Sequence, residues 1–196
     1  MSESLVVPLR SIIEPVRIET IFPRERPLHV ELGAGDGSFL AAYAQAHREW
    51  NFIGVERLLG RLRKIEKKAK RAGLDNVRLV RIEAEYCTRY LLPARSVAAI
   101  HIYFPDPWPK RRHWKNRLIN AEFTRVLQRV LVPAGAVYLR TDDPPYFAQM
   151  LESFGSNGAF EKIETPKELL AFVTDFERGF QARGVSTQQA SYCRVA

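Results

Sequence analysis

Leu28-His-Val-Glu-Leu32 runs straight into Gly33-Ala-Gly-Asp-Gly37, and Ser38 to Ala46 follows with helix-forming residues. A strand, a glycine loop and a helix in that order open a nucleotide-binding α/β fold. Glycine permits the sharp turn and the close approach of backbone to a ligand. The helix N-terminus behind it favours a carboxylate or phosphate. Phe52 to Glu56 reads as the next strand and ends in an acid 23 residues beyond Gly33, where ribose hydroxyls are held. The pattern suits NAD or S-adenosylmethionine. The spacing is GxGxG, with Phe39 two positions beyond Gly37, which leans away from the dinucleotide fingerprint GxGxxG.

Further strands are expected at Val77–Ile82, Val97–Tyr103, Ala136–Thr141, Phe160–Glu164 and Gln188–Val195, with helices over Arg57–Arg71, Ile119–Leu131 and Pro144 to about Phe154. The segment Thr174–Gly179 between the last two strands is polar with one aromatic. Five β-α units followed by two strands without a full crossover predict an open α/β sheet of seven strands. It is mostly parallel, with helices on both faces and one antiparallel strand near the C-terminus. Residues 1–27 are taken as an N-terminal arm and 28–196 as one domain. Glu31, Gly33, Gly35, Gly37, Glu56, Glu83, Asp106 and Asp142 all fall at the carboxyl ends of the expected strands, where such sheets bind ligands.

Ile100 to Arg117 is the most unusual stretch. A buried strand breaks on Pro105, Pro107 and Pro109, which keep Asp106, Trp108 and Lys110 on an extended segment. Lys110, Arg111, Arg112, Lys115 and Arg117 follow, interleaved with His113 and Trp114. A carboxylate at a strand end, beside aromatics and cations, suggests the handling of a nucleic-acid base. Arg57–Arg71 adds eight cations against one acid, Glu66, with Leu58, Leu62 and Ile65 at helical spacing. That basic face suits RNA phosphates or simple solvation.

The net charge of +8 and pI of about 9.7 favour a polyanionic partner or an acidic membrane surface. Two distant cysteines exclude a disulfide scaffold and a zinc knuckle, and four scattered histidines offer no metal cluster, so no metal is expected. No apolar run approaches a membrane span, and the opening residues lack the pattern of a signal peptide. A cytoplasmic protein with no membrane contact, monomeric or homodimeric, is expected.

Glu31-Leu-Gly-Ala-Gly-Asp-Gly37, Val55-Glu56, Tyr103-Phe-Pro-Asp-Pro-Trp-Pro-Lys110, Arg112-His113, Thr141-Asp142 and Thr174-Asp-Phe-Glu177 occur in this order. Together, over residues 28 to 194, they resemble the tRNA (guanine-N7-)-methyltransferases, the TrmB family. The Phe-Pro-Asp-Pro-Trp-x-Lys segment is the specific part. The resemblance implies a Rossmann-like class I methyltransferase that moves a methyl group from S-adenosylmethionine to N7 of guanine 46 in the tRNA variable loop. By the same resemblance Glu31, Gly33, Gly35, Gly37, Glu56, Glu83, Ala84 and Asp106 contact the cofactor. Lys110, Asp142, Thr174, Asp175, Phe176 and Glu177 hold the guanosine, and Arg112, His113, Trp114, Lys115, Asn116 and Arg117 touch RNA. Asp106 is the candidate catalytic residue. Glu83 stands where the family usually has Asp or Asn, and Asp175 where it often has a basic residue.

Other readings differ in class. Asp143-Pro-Pro-Tyr146 is a tetrapeptide of amino-group methyltransferases, but here it follows the fifth strand, where Pro144-Pro145 reads as a strand-to-helix turn. A nicotinamide oxidoreductase is disfavoured by the glycine spacing. A non-catalytic basic RNA-binding module would not need the row of strand-end acids.

Overall fold

Every residue of Leu28–Leu32 (β1) and Asn51–Val55 (β2) is buried, as parallel strands covered on both faces must be. The computed structural model describes residues 4–195. With β3 (Val77–Val80), β4 (Val97–Tyr103), β5 (Leu131–Thr141), β6 (Phe160–Ile163) and β7 (Gln188–Arg194) they form one seven-stranded sheet in the order β3-β2-β1-β4-β5-β7-β6. Strands β1 to β5 pair in parallel, and β7 runs antiparallel to both β5 and β6. The expected mostly parallel sheet with one reversed strand is thus present. Strand order departs from β1 in opposite directions, toward β2 and toward β4. The crevice above that switch point is where a ligand fits.

The helices are α1 (Ile18–Ile21), α2 (Ser38–Ala46), α3 (Leu59–Arg71), α4 (Ala84–Tyr86), α5 (Ala121–Val130), α6 (Pro144–Gly155), α7 (Lys167–Leu170) and α8 (Asp175–Gln181). One apolar cluster takes Phe39, Leu40 and Tyr43 of α2 and Leu62, Ile65 and Ala69 of α3. The other takes Phe123 and Leu127 of α5 and Tyr146, Met150 and Phe154 of α6. The sheet is therefore covered on both sides.

Several boundaries differ from the sequence reading, each for a local reason. Helix α3 starts at Leu59 and its inward row is Leu62, Ile65 and Ala69, so Leu58 is left exposed. Helix α5 starts at Ala121 because the Asn120 carboxamide oxygen accepts from Phe123 N at 3.0 Å, a side-chain cap. Strand β5 begins at Leu131, with a register shift against β4 between Val97 and Ala99. Gly135 permits this, since a Cβ there would lie 2.9 Å from the Val132 carbonyl oxygen. The stretch Thr174–Gly179, given no element from the sequence, enters α8, with Thr174 Oγ1 accepting from Glu177 N at 3.0 Å. The Thr-x-x-Glu spacing is the sequence signal for such a helix start. A short π turn at Cys87–Leu91 continues α4, and a 3-10 turn spans Arg111–Asn116.

The segment before β1 packs along the β3 edge. Val7 N donates to Leu79 O at 2.8 Å and Leu79 N to Leu5 O at 2.9 Å, and Ser4 Oγ and Leu5 N both bond Glu66. These bonds satisfy part of an otherwise open sheet edge.

Candidate active site

The loop after β1 turns through three left-handed glycines, with φ of 78° at Gly33, 57° at Gly35 and 75° at Gly37. Gly33 N and Ala34 N both donate to Val55 O at 2.9 Å, and Gly35 N donates to Glu56 Oε2 at 3.1 Å. The other Glu56 oxygen accepts from Leu58 N at 2.8 Å. The acid at the end of β2 therefore splints the glycine loop to the start of α3. A Cβ on Gly33 would meet no atom within 4 Å, whereas one on Gly37 would lie 2.7 Å from Ile65 Cγ2. Gly33 faces open space and Gly37 faces the core.

That open space is a cleft of about 690 Å³ at the carboxyl ends of β1, β2 and β4. It is the size of a small-molecule site. Of the residues singled out from the sequence it gathers Glu31, Gly33, Gly35, Glu56, Glu83, Ala84, Asp106, Asn116, Asp142, Thr174 and Phe176. Glu31 is 4% exposed, and its Oε2 has no hydrogen-bond partner. Burial, with Asp36 close by and Glu56 beyond, pushes its carboxyl well above the usual carboxylate range, against the pull of Arg140. A buried acid left one bond short is a socket for a cation or hydrogen-bond donor. Glu83 is exposed and caps α4, accepting from Glu85 N at 3.0 Å and Tyr86 N at 2.8 Å. Its carboxylate edges the cleft from one side.

The opposite wall is Phe104–Pro109. Phe104 and Trp108 hold φ of 52° and 47°, a region that bulky side chains avoid, so the turn carrying Asp106 is strained at both ends. Asp106 is exposed and Trp108 is 37% exposed, and both line the cleft. Trp108 is not core packing beneath its loop. The third side is α8, whose Phe176 and Phe180 line the cleft. Asp175 N donates to Ser38 Oγ at 3.1 Å, tying α8 to the start of α2.

The other residues singled out from the sequence lie elsewhere. Gly37 is behind the loop, while Lys110, Arg112, Lys115 and Asp175 are exposed, and His113 and Trp114 half-buried, outside the cleft lining. Asp175 pairs with Arg178. Two residues require correction. Arg117 is no rim cation: it is 1% exposed and bonded on all sides by protein. Glu177 does not face the cleft, because its Oε2 accepts from Arg140 Nη1 at 2.9 Å. Arg140, 2% exposed, also donates to the carbonyls of Phe172 and Leu169 and lies over the Tyr103 ring. This buried arginine anchors α8 to the sheet, and the sequence reading missed it. An arginine inside an apolar strand was the available signal, because such a charge is rarely buried unpaired.

A second unforeseen feature is a pair of buried histidines on β1 and β4, packed against Tyr43 of α2. His29 Nδ1 and His101 Nε2 are 3.2 Å apart, and His101 Nδ1 is 2.9 Å from the Tyr103 hydroxyl. Burial lowers His29 to about 4, helped by His47 and opposed by Glu49. Burial also holds His101 well below the usual histidine value. Both rings are neutral at physiological pH. Among the described residues no group of three or more His, Cys, Asp or Glu is placed to hold a metal ion.

Residues 25–190 match the family described as "Putative methyltransferase". The chain is similar to the tRNA (guanine-N(7)-)-methyltransferase of Thermotoga maritima, 37% identical over 174 residues that cover 88% of this chain and 56% of that protein. It is likewise similar to the tRNA (guanine-N(7)-)-methyltransferase of Halorhodospira halophila, 35% identical over 194 residues, covering 95% of this chain and 81% of that one. The chain thus spans about half the length of the first relative and about four fifths of the second. Among solved structures, the 16S rRNA methyltransferase KamB is similar with a TM-score of 0.68 at 13% identity, covering 93% of this chain and 95% of that one. At that identity the likeness is one of fold.

Proposed function

We propose that this chain, which belongs to the tRNA (guanine-N7-)-methyltransferase family, transfers a methyl group from S-adenosylmethionine to N7 of a guanine in tRNA. Guanine 46 of the variable loop is the position that the family resemblance implies. The observation that carries the reading is the cleft itself, with a buried, bond-deficient Glu31 at one end and the strained Asp106 loop at the other. The residues fit the cofactor. Glu31 suits its ammonium group, Glu56 and Glu83 retain lone pairs for ribose hydroxyls and base edges, and the bare backbone at Gly33 admits close approach. When bound, S-adenosylmethionine supplies an electrophilic methyl group on a sulfonium.

Guanine N7 offers an in-plane lone pair and carries no proton, so the protein need not supply a base to make the nucleophile. The work left to the chain is alignment and charge. The ring gains positive charge as the bond forms, and a carboxylate aimed at its imidazole edge favours that change. Asp106 is assigned this role, with Asp142 beside it in the cleft. Lys110 is assigned to O6 or a neighbouring phosphate. Thr174 and Phe176 form the wall against which the base rests, with Phe176 and Trp108 available for stacking. Asp175 is kept as an outer contact. Glu177 acts through Arg140 and α8, not on the substrate.

The RNA path begins at the cleft. Arg57 and Arg61 line it, and Arg63, Lys64, Lys67 and Arg71 continue as exposed cations along α3. At 1.5 Å per residue, Arg61 to Arg71 tracks about 15 Å of backbone. Arg112, Lys115 and Asn116 flank the other rim, with His113 and Trp114 behind them. The proposal takes residues 1–27 as an arm and 28–196 as a single domain, with 1–3 and 196 outside the described residues. No helix among the described residues is long and apolar enough to cross a membrane. A cytoplasmic monomer or homodimer is part of this proposal.

Transfer of label from methyl-labelled S-adenosylmethionine to bulk tRNA, with nucleoside analysis, tests the reading. Labelled 7-methylguanosine is expected. Label in an amino-methylated base, or none with cofactor bound, would overturn the assignment to N7 of tRNA. The Asp143 carboxylate is consumed inside the protein and does not line the cleft, which disfavours the amino-group alternative.

A further inference from the structure

The Asp143-Pro-Pro-Tyr146 segment and Arg117 have no place in the chemistry above, yet they meet in one buried assembly. Arg117 Nε donates to Pro107 O at 2.7 Å, one residue beyond Asp106. Its Nη1 reaches Gln149 Oε1 at 3.0 Å and Pro145 O at 3.4 Å, and its Nη2 reaches Asp143 Oδ1 at 3.4 Å. The guanidinium lies between two rings, 4.4 Å from the Trp114 centroid and 4.7 Å from that of Tyr146. Asp143 also caps α6 by accepting from Tyr146 N at 2.7 Å, and the Tyr146 hydroxyl accepts from Ile119 N at 2.9 Å. The end of β5, the start of α6 and the chain leading into α5 therefore converge on one cation.

We infer that Arg117, seated in the Asp143-Pro-Pro-Tyr146 socket, is a positioning residue that holds the Asp106 loop in its reactive shape. The inference rests on the reading of Asp106 proposed above. The physical need is plain from the backbone. A turn with left-handed Phe104 and Trp108 on either side of Asp106 persists only where the surroundings over-determine it. Prolines 105, 107 and 109 have no amide hydrogen, so the loop cannot brace itself with a hydrogen-bonded ladder. The Pro107 carbonyl is the handle it offers, and Arg117 grips that handle with a planar fork whose remaining donors are fixed to the opposite wall. A lysine at the same place carries the charge but cannot span the four acceptors together.

The test is Arg117→Lys, read in three ways. Expected is a fall in kcat of about 10- to 100-fold, the scale of an ångström of misplacement, with S-adenosylhomocysteine affinity nearly unchanged. In a double-mutant cycle with Asp106→Asn, the double variant should be no slower than the single Asp106→Asn, because Arg117 acts through Asp106. Hydrogen–deuterium exchange across residues 104–114 should accelerate. A merely structural arginine would give multiplicative losses. Wild-type turnover by Arg117→Lys, multiplicative losses, or unchanged exchange of the loop overturns the inference. Should Arg117→Lys fail to fold, Gln149→Ala leaves the arginine in place and removes one tether. Faster loop exchange with a smaller fall in kcat then supports the clamp, and no change in either removes it. A wild-type protein that methylates no tRNA removes the parent reading, while unchanged loop exchange removes the clamp whatever the activity.

Discussion

The two walls of the cleft are built by different means. The wall after β1 is made from its own backbone: three glycines in five residues turn the chain, and its amides are bound by Val55 and Glu56 on the adjacent strand and just beyond it. The wall after β4 has almost no backbone bonding of its own. It is stiffened by prolines, strained at Phe104 and Trp108, and tethered through Arg117 to residues 26 to 32 positions further along the chain. The first kind of wall is a fixed surface of the kind the proposed cofactor needs. The second holds the Asp106 carboxylate, proposed above to act in the chemistry, with side chains that single substitutions can loosen. On the proposed function, the difference predicts that binding and chemistry in this cleft separate by mutation.

The largest expected separation comes from Asp106→Ala. Methyl transfer should fall by about 10²–10³-fold, the scale of one lost electrostatic partner, while the melting temperature stays near wild type, because the side chain is exposed. Equal losses of fold and activity would erase the distinction between the walls.

The glycine wall can be broken in two ways. Gly37→Ala should destabilise by about 2–5 kcal/mol, combining a left-handed alanine with overpacking against Ile65. Gly33→Ala carries only the backbone penalty of about 1–2 kcal/mol, yet its methyl enters the cleft and should weaken S-adenosylhomocysteine binding in calorimetry. Similar stability for both variants would mean that Gly37 is not pressed against the core.

The buried histidine pair on β1 and β4, the strands that lead into the two walls, makes a pH prediction. His29 and His101 titrate lower folded than unfolded, so the unfolded chain binds more protons below pH 6.5. Their contribution is full above pH 6.5 and is lost as pH falls from there, toward about 4 for His29. The slope is about 1.4 kcal/mol per pH unit for each histidine. Denaturant midpoints measured from pH 7 to 5 should decline accordingly, and a flat profile would place these rings in solvent.

The effect of opposite sign belongs to Glu31. Its raised carboxyl pKa means that stability is lost as pH rises above the unfolded carboxylate value, so Glu31→Gln should raise the melting temperature at pH 8 while weakening cofactor binding. A drop in both would make Glu31 a structural acid.

Much of this molecule was determined by the sequence alone. The strands Leu28–Leu32 and Val97–Tyr103, the helix Ser38–Ala46 and the parallel sheet with one reversed strand follow from local periodicity, glycine spacing and the β-α alternation. These depend on neighbours in sequence, so the chain displays them in order. The acids at the strand ends were legible for the same reason: strand ends share one edge of a parallel sheet. The tertiary structure alone decided which charges lie inside. Arg117 sits among cations that look like a solvated rim, and Glu177 in a motif that looks like a substrate contact, yet both are buried by partners on distant segments. A charge is buried only where enough acceptors converge on it to replace its water, and that convergence is a property of the folded chain.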